Sequence, residues 1–505
     1  MSDAHTLAAG IAREPESGSV RPSAVLYWVI VALAIYMPME DFLLKWLPVS
    51  DLLYSIARQG SEAVIYALLA TVLLGRMSEG RFLRRTTVDA PLVAFLTVAL
   101  TSLIVNDGNL LTGAITVRTL LRYVALFYVV VNLPMSDRQI QILLLLIVSM
   151  GLAQCVLGAF QFARGGPSPL WLPRPTALEV GGVERNFSIL GTGVELGAVI
   201  GTFGHSVSMA LYLLVCAAVV ISLIFNGKGP GRRIAGPSLM FAILGVVIGG
   251  VLITYSRSTF LCLLGGGAVV AYWRRHRRGL LRPLMAVTVA ALLLGVILSV
   301  SEEVGAVRVK ETRVSPLENI RMATNPDVLQ GGFANTRVWM IREVGGTVLS
   351  SVSPVGYSPD PETARVEIVK ESEGVLKRLL TFEPIEDVFW IAMLSYYGIL
   401  GVGAFAWLLV RLYKAARELM DWSRGFWTRT VATSTAALIV MLVPLTFMVR
   451  TFEFRSLAFY FWLLAGLTIH RYARAKDAEH GSDTFDPAGR PATRATGADN
   501  DRAQA

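Results

Sequence analysis

The chain has 505 residues, of which 54% are hydrophobic and 16% charged, with a mean hydropathy of +0.55. That is too apolar for a soluble globular protein of this size. The formal net charge is +9, but the basic residues punctuate apolar runs instead of forming one patch, so they point to a lipid bilayer and not to nucleic acid.

Residues 1–23 are polar and contain Pro15 and Pro22. They read as a disordered cytoplasmic N-terminus ahead of an uncleaved signal anchor. The apolar runs beyond are continuous and about twenty residues long, which predicts membrane helices and not the ten-residue alternating strands of a barrel. Hence the expected fold is an all-α integral membrane protein. Twelve spans are predicted, at 24–39, 54–75, 89–106, 115–133, 139–162, 205–225, 237–255, 257–273, 281–300, 388–411, 430–449 and 455–472. With the N-terminus inside, the basic loops at 76–85, 226–233, 274–279, 411–429 and 470–476 all fall on one side, so both termini are expected in the cytoplasm.

The chain then divides into transmembrane helices 1–9 over 24–300, a large external loop at 301–387, helices 10–12 over 388–472, and a polar tail at 473–505 read as disordered. The external loop contains two helix-like stretches, "TRVWMIREV" after a capping Asn335 and "ARVEIVKESEGVLKRLL". Cys155, Cys216 and Cys262 all sit in apolar runs and read as packing residues. Five scattered histidines (His5, His205, His276, His470, His480) offer no metal-ligand spacing, so no metal and no other cofactor is expected.

On this topology Arg257 lies in the outer turn between spans seven and eight, and Arg185, Arg337, Arg342, Arg450 and Arg455 share its face. Arg118 and Arg122 fall in the outer half of span four, one turn apart on one side of the helix. Guanidinium groups gathered there suit an anion, above all a diphosphate, which accepts bidentate hydrogen bonds. The competing reading is that each arginine snorkels to headgroups or pairs with an acid, Glu453 being close to Arg450 and Arg455 in the chain. Glu386 and Asp387 stand where the external loop re-enters the membrane. A partly desolvated carboxylate there is a candidate general base, and an acidic helix cap is the alternative.

Five motifs, "PMEDFLLKWLP", "GTFGHSVSMALYLL", "TYSRSTFLCLLGG", "NTRVWMIREV" and "EDVFWIAMLSYYGILG", follow one another along 24–472. In this order, with twelve spans and a large late loop, the chain resembles the O-antigen ligase and O-antigen polymerase family. The resemblance implies a C-type membrane glycosyltransferase fold and metal-independent transfer of glycan from an undecaprenyl-diphosphate-linked oligosaccharide donor to a glycan acceptor. The setting it implies is the outer face of the bacterial inner membrane, with other polysaccharide assembly proteins as partners. It also implies that Arg257 and Arg337 bind the diphosphate; on the reading of the residues themselves, Arg118, Arg122 and Arg450 are expected to help hold it.

Two departures stand out. Ligases of the family place a histidine, usually followed by asparagine, where this chain has Asp387 and Val388, and the Pro-Asn that follows "GTFGH" in the family is replaced by Ser206 and Val207. Asp387, with Glu386 beside it, is therefore the candidate base, and polymerisation of repeat units by inverting transfer is the expected function. His205 is either part of that motif's function or a packing residue. The alternatives are a ligase that moves finished glycan to a lipid core or protein, and a flippase or exporter of lipid-linked sugars.

Overall fold

The computed structural model describes residues 20–46, 50–168, 170–171, 178–180, 183–185, 198–226, 236–273, 341, 344–371, 388–423 and 425–482. Apart from a short antiparallel hairpin, β1 Leu178–Val180 and β2 Val183–Arg185, the described elements are helices. Seven of them are long and apolar enough to cross a membrane: Ala24–Lys45, Gly60–Ser78, Leu110–Asn132, Asp137–Ala163, Ser206–Asn226, Phe389–Trp422 and Phe426–Leu445. Asp89–Val105 and Ser238–Ile253 are apolar but shorter. The chain is thus an all-α protein of membrane type, with a helix on every predicted span but 281–300, which lies outside the described residues.

In chain order the first helices are α1 (Val20–Tyr36), α2 (Glu40–Lys45), α3 (Asp51–Arg58), α4 (Gly60–Ser78), α5 (Asp89–Val105), α6 (Leu110–Leu121), α7 (Val124–Asn132) and α8 (Asp137–Ala163). After the hairpin come α9 (Ser206–Asn226), α10 (Pro237–Ile253), α11 (Arg257–Trp273), α12 (Gly345–Ser351), α13 (Pro361–Glu371), α14 (Phe389–Trp422), α15 (Phe426–Leu445) and α16 (Arg455–Ser482). At the centre, α9 is buried without a break from Met209 to Phe225. It packs against α8, α10, α11, α15 and α16. Small residues let these helices approach: a Cβ on Gly151 would lie 2.6 Å from Cys216 Sγ, and one on Gly250 2.5 Å from Cys155 Sγ. All three cysteines are free, and Cys155 and Cys216 are buried.

Several predicted boundaries are corrected. The first helix begins at Val20, inside the stretch read as disordered, because Pro22 is tolerated in a first helical turn. Span two is two helices meeting at Gln59, and span four starts early, at Leu110, where the Asn109 side chain accepts the N–H groups of Leu111 and Thr112. Span four is also interrupted at Arg122–Tyr123, between α6 and α7. At the other end α16 continues through Ser482, into the tail read as disordered. Arg471 pairs with Asp137 at 2.6 Å, Tyr472 donates to Glu418 at 2.7 Å and Asp477 pairs with Arg84, tying that stretch to neighbouring helices. Of the two predicted external helices, that from Asn335 falls outside the described residues. The other is α13, which starts at Pro361, three residues before the predicted stretch.

The helix α14 is broken at Gly398, whose φ of 63° and ψ of −169° suit glycine alone. The backbone groups this frees are satisfied from outside the helix. Leu400 N–H donates to the Pro354 carbonyl at 3.1 Å, Tyr357 N–H to Ser395 O at 2.8 Å, and Ser102 Oγ to Tyr396 O at 2.7 Å. The segment around 354–360 is thereby strapped to α14, and Asn106 Nδ2, donating to Gly356 O at 3.3 Å, fixes it to the end of α5.

Candidate functional site

Glu40 opens α2 and Glu62 lies in the first turn of α4, positions where the helix dipole favours a carboxylate. Both are buried, with side chains 4% and 3% exposed. A buried carboxylate persists only when paired, and arginines from α6, its C-cap and α16 supply the pairs. Arg455, the first residue of α16, places Nε 2.9 Å from Glu40 Oε2 and Nη2 3.8 Å from Glu62 Oε1. Its Nη2 also donates to Ser61 Oγ at 2.8 Å and to the Arg58 carbonyl, while Ser61 Oγ donates to Glu40 Oε1 at 3.1 Å.

From α6, Arg118 donates to Glu62 Oε2 through Nε at 3.0 Å and Nη2 at 2.6 Å. Arg122 Nη1 lies 3.7 Å from Glu62 Oε1, and its Nε donates to the Thr119 carbonyl at 2.9 Å. Arg58 Nη2 is 3.4 Å from Asp41 Oδ1. Four arginines (Arg58, Arg118, Arg122, Arg455) thus meet three carboxylates (Glu40, Asp41, Glu62), leaving a formal surplus of one positive charge. Arg118, at 37%, is the most exposed of the seven side chains.

Beside this cluster, and sharing α6 with it, a narrow cavity is lined by Thr116, Thr119 and Leu120 of α6. Phe389, Ala392, Met393, Tyr396 and Tyr397 of α14 form its other wall, and Glu453 of the 3-10 turn Thr451–Glu453 closes it. Glu453 Oε2 accepts from Arg450 Nη1 at 3.0 Å, and both side chains are largely buried. The aromatic contact of Phe389 with Phe452, centroids 5.4 Å apart, holds the start of α14 against this turn.

The remaining predicted residues are placed less directly. Arg257 is the first residue of α11, half-buried, after a tight reversal in which Tyr255 takes a left-handed backbone with φ of 59°. The loop 198–205 links this reversal to the carboxylate end of the bundle. Val199 N–H donates to Ile253 O at 3.2 Å, Thr202 Oγ1 donates to the Pro38 carbonyl, and the His205 ring lies 6.2 Å from that of Phe454. Gly201, with φ of 56°, permits the bend, and a Cβ there would stand 2.4 Å from Gln154 Oε1. His205 Nδ1 accepts the Val207 N–H at 3.1 Å, at the start of α9.

The structure therefore brings Arg118, Arg122 and Arg455 together, pairs Arg450 with Glu453, and places Arg257 at the reversal that the 198–205 loop packs against. Of the two arginines flanking Glu453, only Arg450 pairs with it. Arg337, Arg342, Glu386 and Asp387 lie outside the described residues, as does the side chain of Arg185. Sequence reasoning overlooked Glu40, Ser61 and Glu62. The signal for Glu62 was present, since an acid within the first turn of an apolar span marks a paired or functional site.

Among the described residues no group of three or more His, Cys, Asp or Glu side chains is arranged to hold a metal ion. No protein-family model matches the chain, and no curated protein matches it.

Proposed function

We propose that the chain is a multi-pass glycosyltransferase of a bacterial inner membrane that polymerises undecaprenyl-diphosphate-linked repeat units into a surface polysaccharide at the outer face. In this reading it crosses the membrane twelve times, both termini are cytoplasmic, and the 301–387 loop is external. The observation that carries the reading is the arginine-rich cluster with one uncompensated positive charge, at the end of the bundle that the basic loops assign to the outside. The five ordered motifs supply the reaction class, and the replacement of the ligase histidine by Asp387 favours polymerase over ligase.

The chemistry follows from charge. Arg118, the most accessible guanidinium, turns from Glu62 to the lipid diphosphate, joined by Arg257 and Arg337, while Arg122 and Arg455 keep the field positive. The bond from the anomeric carbon to the phosphate oxygen breaks, and its electron pair leaves on the diphosphate. An acceptor hydroxyl attacks from the opposite face, inverting the centre, and its proton passes to Asp387 or Glu386. Diphosphate is a good leaving group, so the step requires no acid. Phe389, two residues after Asp387, lies on the cavity wall.

A second reading, export of the lipid-linked sugar, draws on the two interrupted helices, broken at Arg122–Tyr123 and at Gly398, because discontinuous helices frame substrate sites in transporters. One experiment separates the two. Cells lacking the gene are complemented with wild type, Arg118→Gln, Arg257→Ala or Asp387→Asn at matched expression, and lipid-linked and surface glycans are profiled. Single repeat units accumulating at the outer leaflet support the polymerase, and polymer made but not attached points to a ligase. Repeat units trapped inside point to export, and wild-type glycan from all three variants overturns the catalytic proposal.

A further inference from the structure

The loop ahead of α9 is buried from Ala198 to Gly204, yet its backbone is not helical. Irregular backbone in a membrane-type bundle persists only where its polar groups find partners inside the protein. Here two side chains of α8 supply them. Gln161 Oε1 accepts the N–H groups of Ile200 at 3.0 Å and Gly201 at 2.9 Å, and its Nε2 donates to the Gly201 carbonyl at 2.9 Å. Gln154, about two turns earlier on the same face, accepts the Thr202 N–H at 3.0 Å and donates to Thr202 Oγ1 at 2.9 Å. Gln154 is 3% and Gln161 1% exposed. An extra turn of α9 would satisfy the same backbone groups internally, with no side-chain amide taken out of water.

The chain keeps the costlier arrangement, and three anchors show what the loop holds in place. Val199 N–H donates to Ile253 O at 3.2 Å, at the end of α10, where the reversal that ends on Arg257 begins. Thr202 Oγ1 donates to the Pro38 carbonyl, in the 3-10 turn Met37–Met39 that leads into Glu40. The His205 ring lies 6.2 Å from that of Phe454, the residue before Arg455. Every anchor thus borders a charged residue of the site, and the loop ties the Arg257 turn to the Glu40–Arg455 pair. Such a link matters for a diphosphate, because guanidinium groups from different helices grip one anion only when their spacing matches it.

We infer that Gln154 and Gln161 are positioning residues: by clamping the 198–205 loop they hold Arg257 at the spacing from the arginine cluster that one lipid diphosphate bridges. The inference rests on the diphosphate reading above and adds to it the two side chains that keep the parts of the binding site in register.

The test uses the full chain in lipid nanodiscs, titrated with undecaprenyl diphosphate. Gln161→Met keeps the length of the side chain and removes its hydrogen bonds; it should weaken binding about tenfold, as should Arg257→Ala. Combined, the two should bind no more weakly than Arg257→Ala alone, because a glutamine that acts through Arg257 then has nothing to place. A merely structural loss would multiply with the Arg257 effect instead. That outcome, or unchanged affinity in Gln161→Met, overturns the inference. Thr202→Val removes the side-chain bonds to Gln154 and Pro38 at nearly constant shape, and it carries the same cycle should Gln161→Met not fold. Wild-type affinity in Arg257→Ala also overturns the inference, since Arg257 then holds no diphosphate, while the cluster around Arg118 stands as the binding site. If wild type itself does not bind undecaprenyl diphosphate, the diphosphate reading fails and the positioning role falls with it.

Discussion

At the scale of single residues the cluster turns on Glu62, the carboxylate facing Arg118, Arg122 and Arg455. Removing one partner of a buried ion pair costs more than the pair contributes, because the charge left behind has lost its solvent and its counter-ion. Glu62→Gln is therefore expected to destabilise the protein by about 3–5 kcal/mol, read as a lower midpoint of thermal unfolding in detergent. Adding Arg122→Gln returns the formal surplus from two positive charges to the wild-type one and should restore part of that loss. Strict additivity in this double mutant would mean that the two groups do not interact. Arg118→Gln differs in degree: Glu62 still faces Arg122 and Arg455, and Arg118 is the more exposed partner, so the loss of stability should be smaller than for Glu62→Gln while glycan assembly drops. The arginines were legible in the sequence because Arg118 and Arg122 lie one turn apart on one helix. Their partners were not, because Glu62 meets Arg455 only through the packing of α4 and α16 from opposite ends of the chain, which helical spacing does not encode.

Among the elements, α14 shows where apolar periodicity stops being informative. Its hydrophobic run locates the span, but nothing in the pattern distinguishes Gly398, which breaks the helix, from Gly403, which sits in an unbroken turn. The difference is tertiary. A Cβ at Gly398 would lie 2.3 Å from the Pro354 carbonyl oxygen, whereas one at Gly403 meets nothing within 4 Å. Gly398→Ala combines a forbidden backbone with this overlap and is expected to cost at least about 2–3 kcal/mol, releasing the 354–357 strap and raising its hydrogen exchange. Gly403→Ala should stabilise by about 0.5–1 kcal/mol, since alanine loses less entropy in a helix. Equal thermal midpoints for the two variants would mean that α14 is continuous. The interruption at Arg122–Tyr123 was hidden too, because an apolar run records burial and length but not the point at which a helix breaks within it. Predicted ends failed where polar contacts prolong a helix, as the pairing of Asp477 with Arg84 does for α16.

For the whole molecule, the mechanism stands or falls on which end of the bundle faces outward. Apolarity gives spans without direction, and the direction proposed comes from the one-sided distribution of Arg and Lys in short loops. The two ends can be distinguished with single cysteines at well-exposed positions: Arg81, its side chain 71% exposed, on the basic end, and Glu362 of α13, 70% exposed, on the end that carries the strap. The native cysteines interfere little, since Cys155 and Cys216 are buried, and Cys262→Ser removes the half-buried third. A membrane-impermeant maleimide reaching the periplasm should label Glu362→Cys in intact cells. Arg81→Cys should react only after the inner membrane is opened. Helices α13 and α6 are joined through Asp360, whose Oδ2 accepts the Asn109 N–H at 3.2 Å, so the side on which Glu362 reacts is also the side on which α6 begins. Arg118 and Arg122 lie on that helix, so the labelling pattern fixes the leaflet to which the cluster is closest. The opposite pattern would set the arginine cluster toward the cytoplasm, where a donor presented in the outer leaflet never meets it, and the outer-face transfer would be lost.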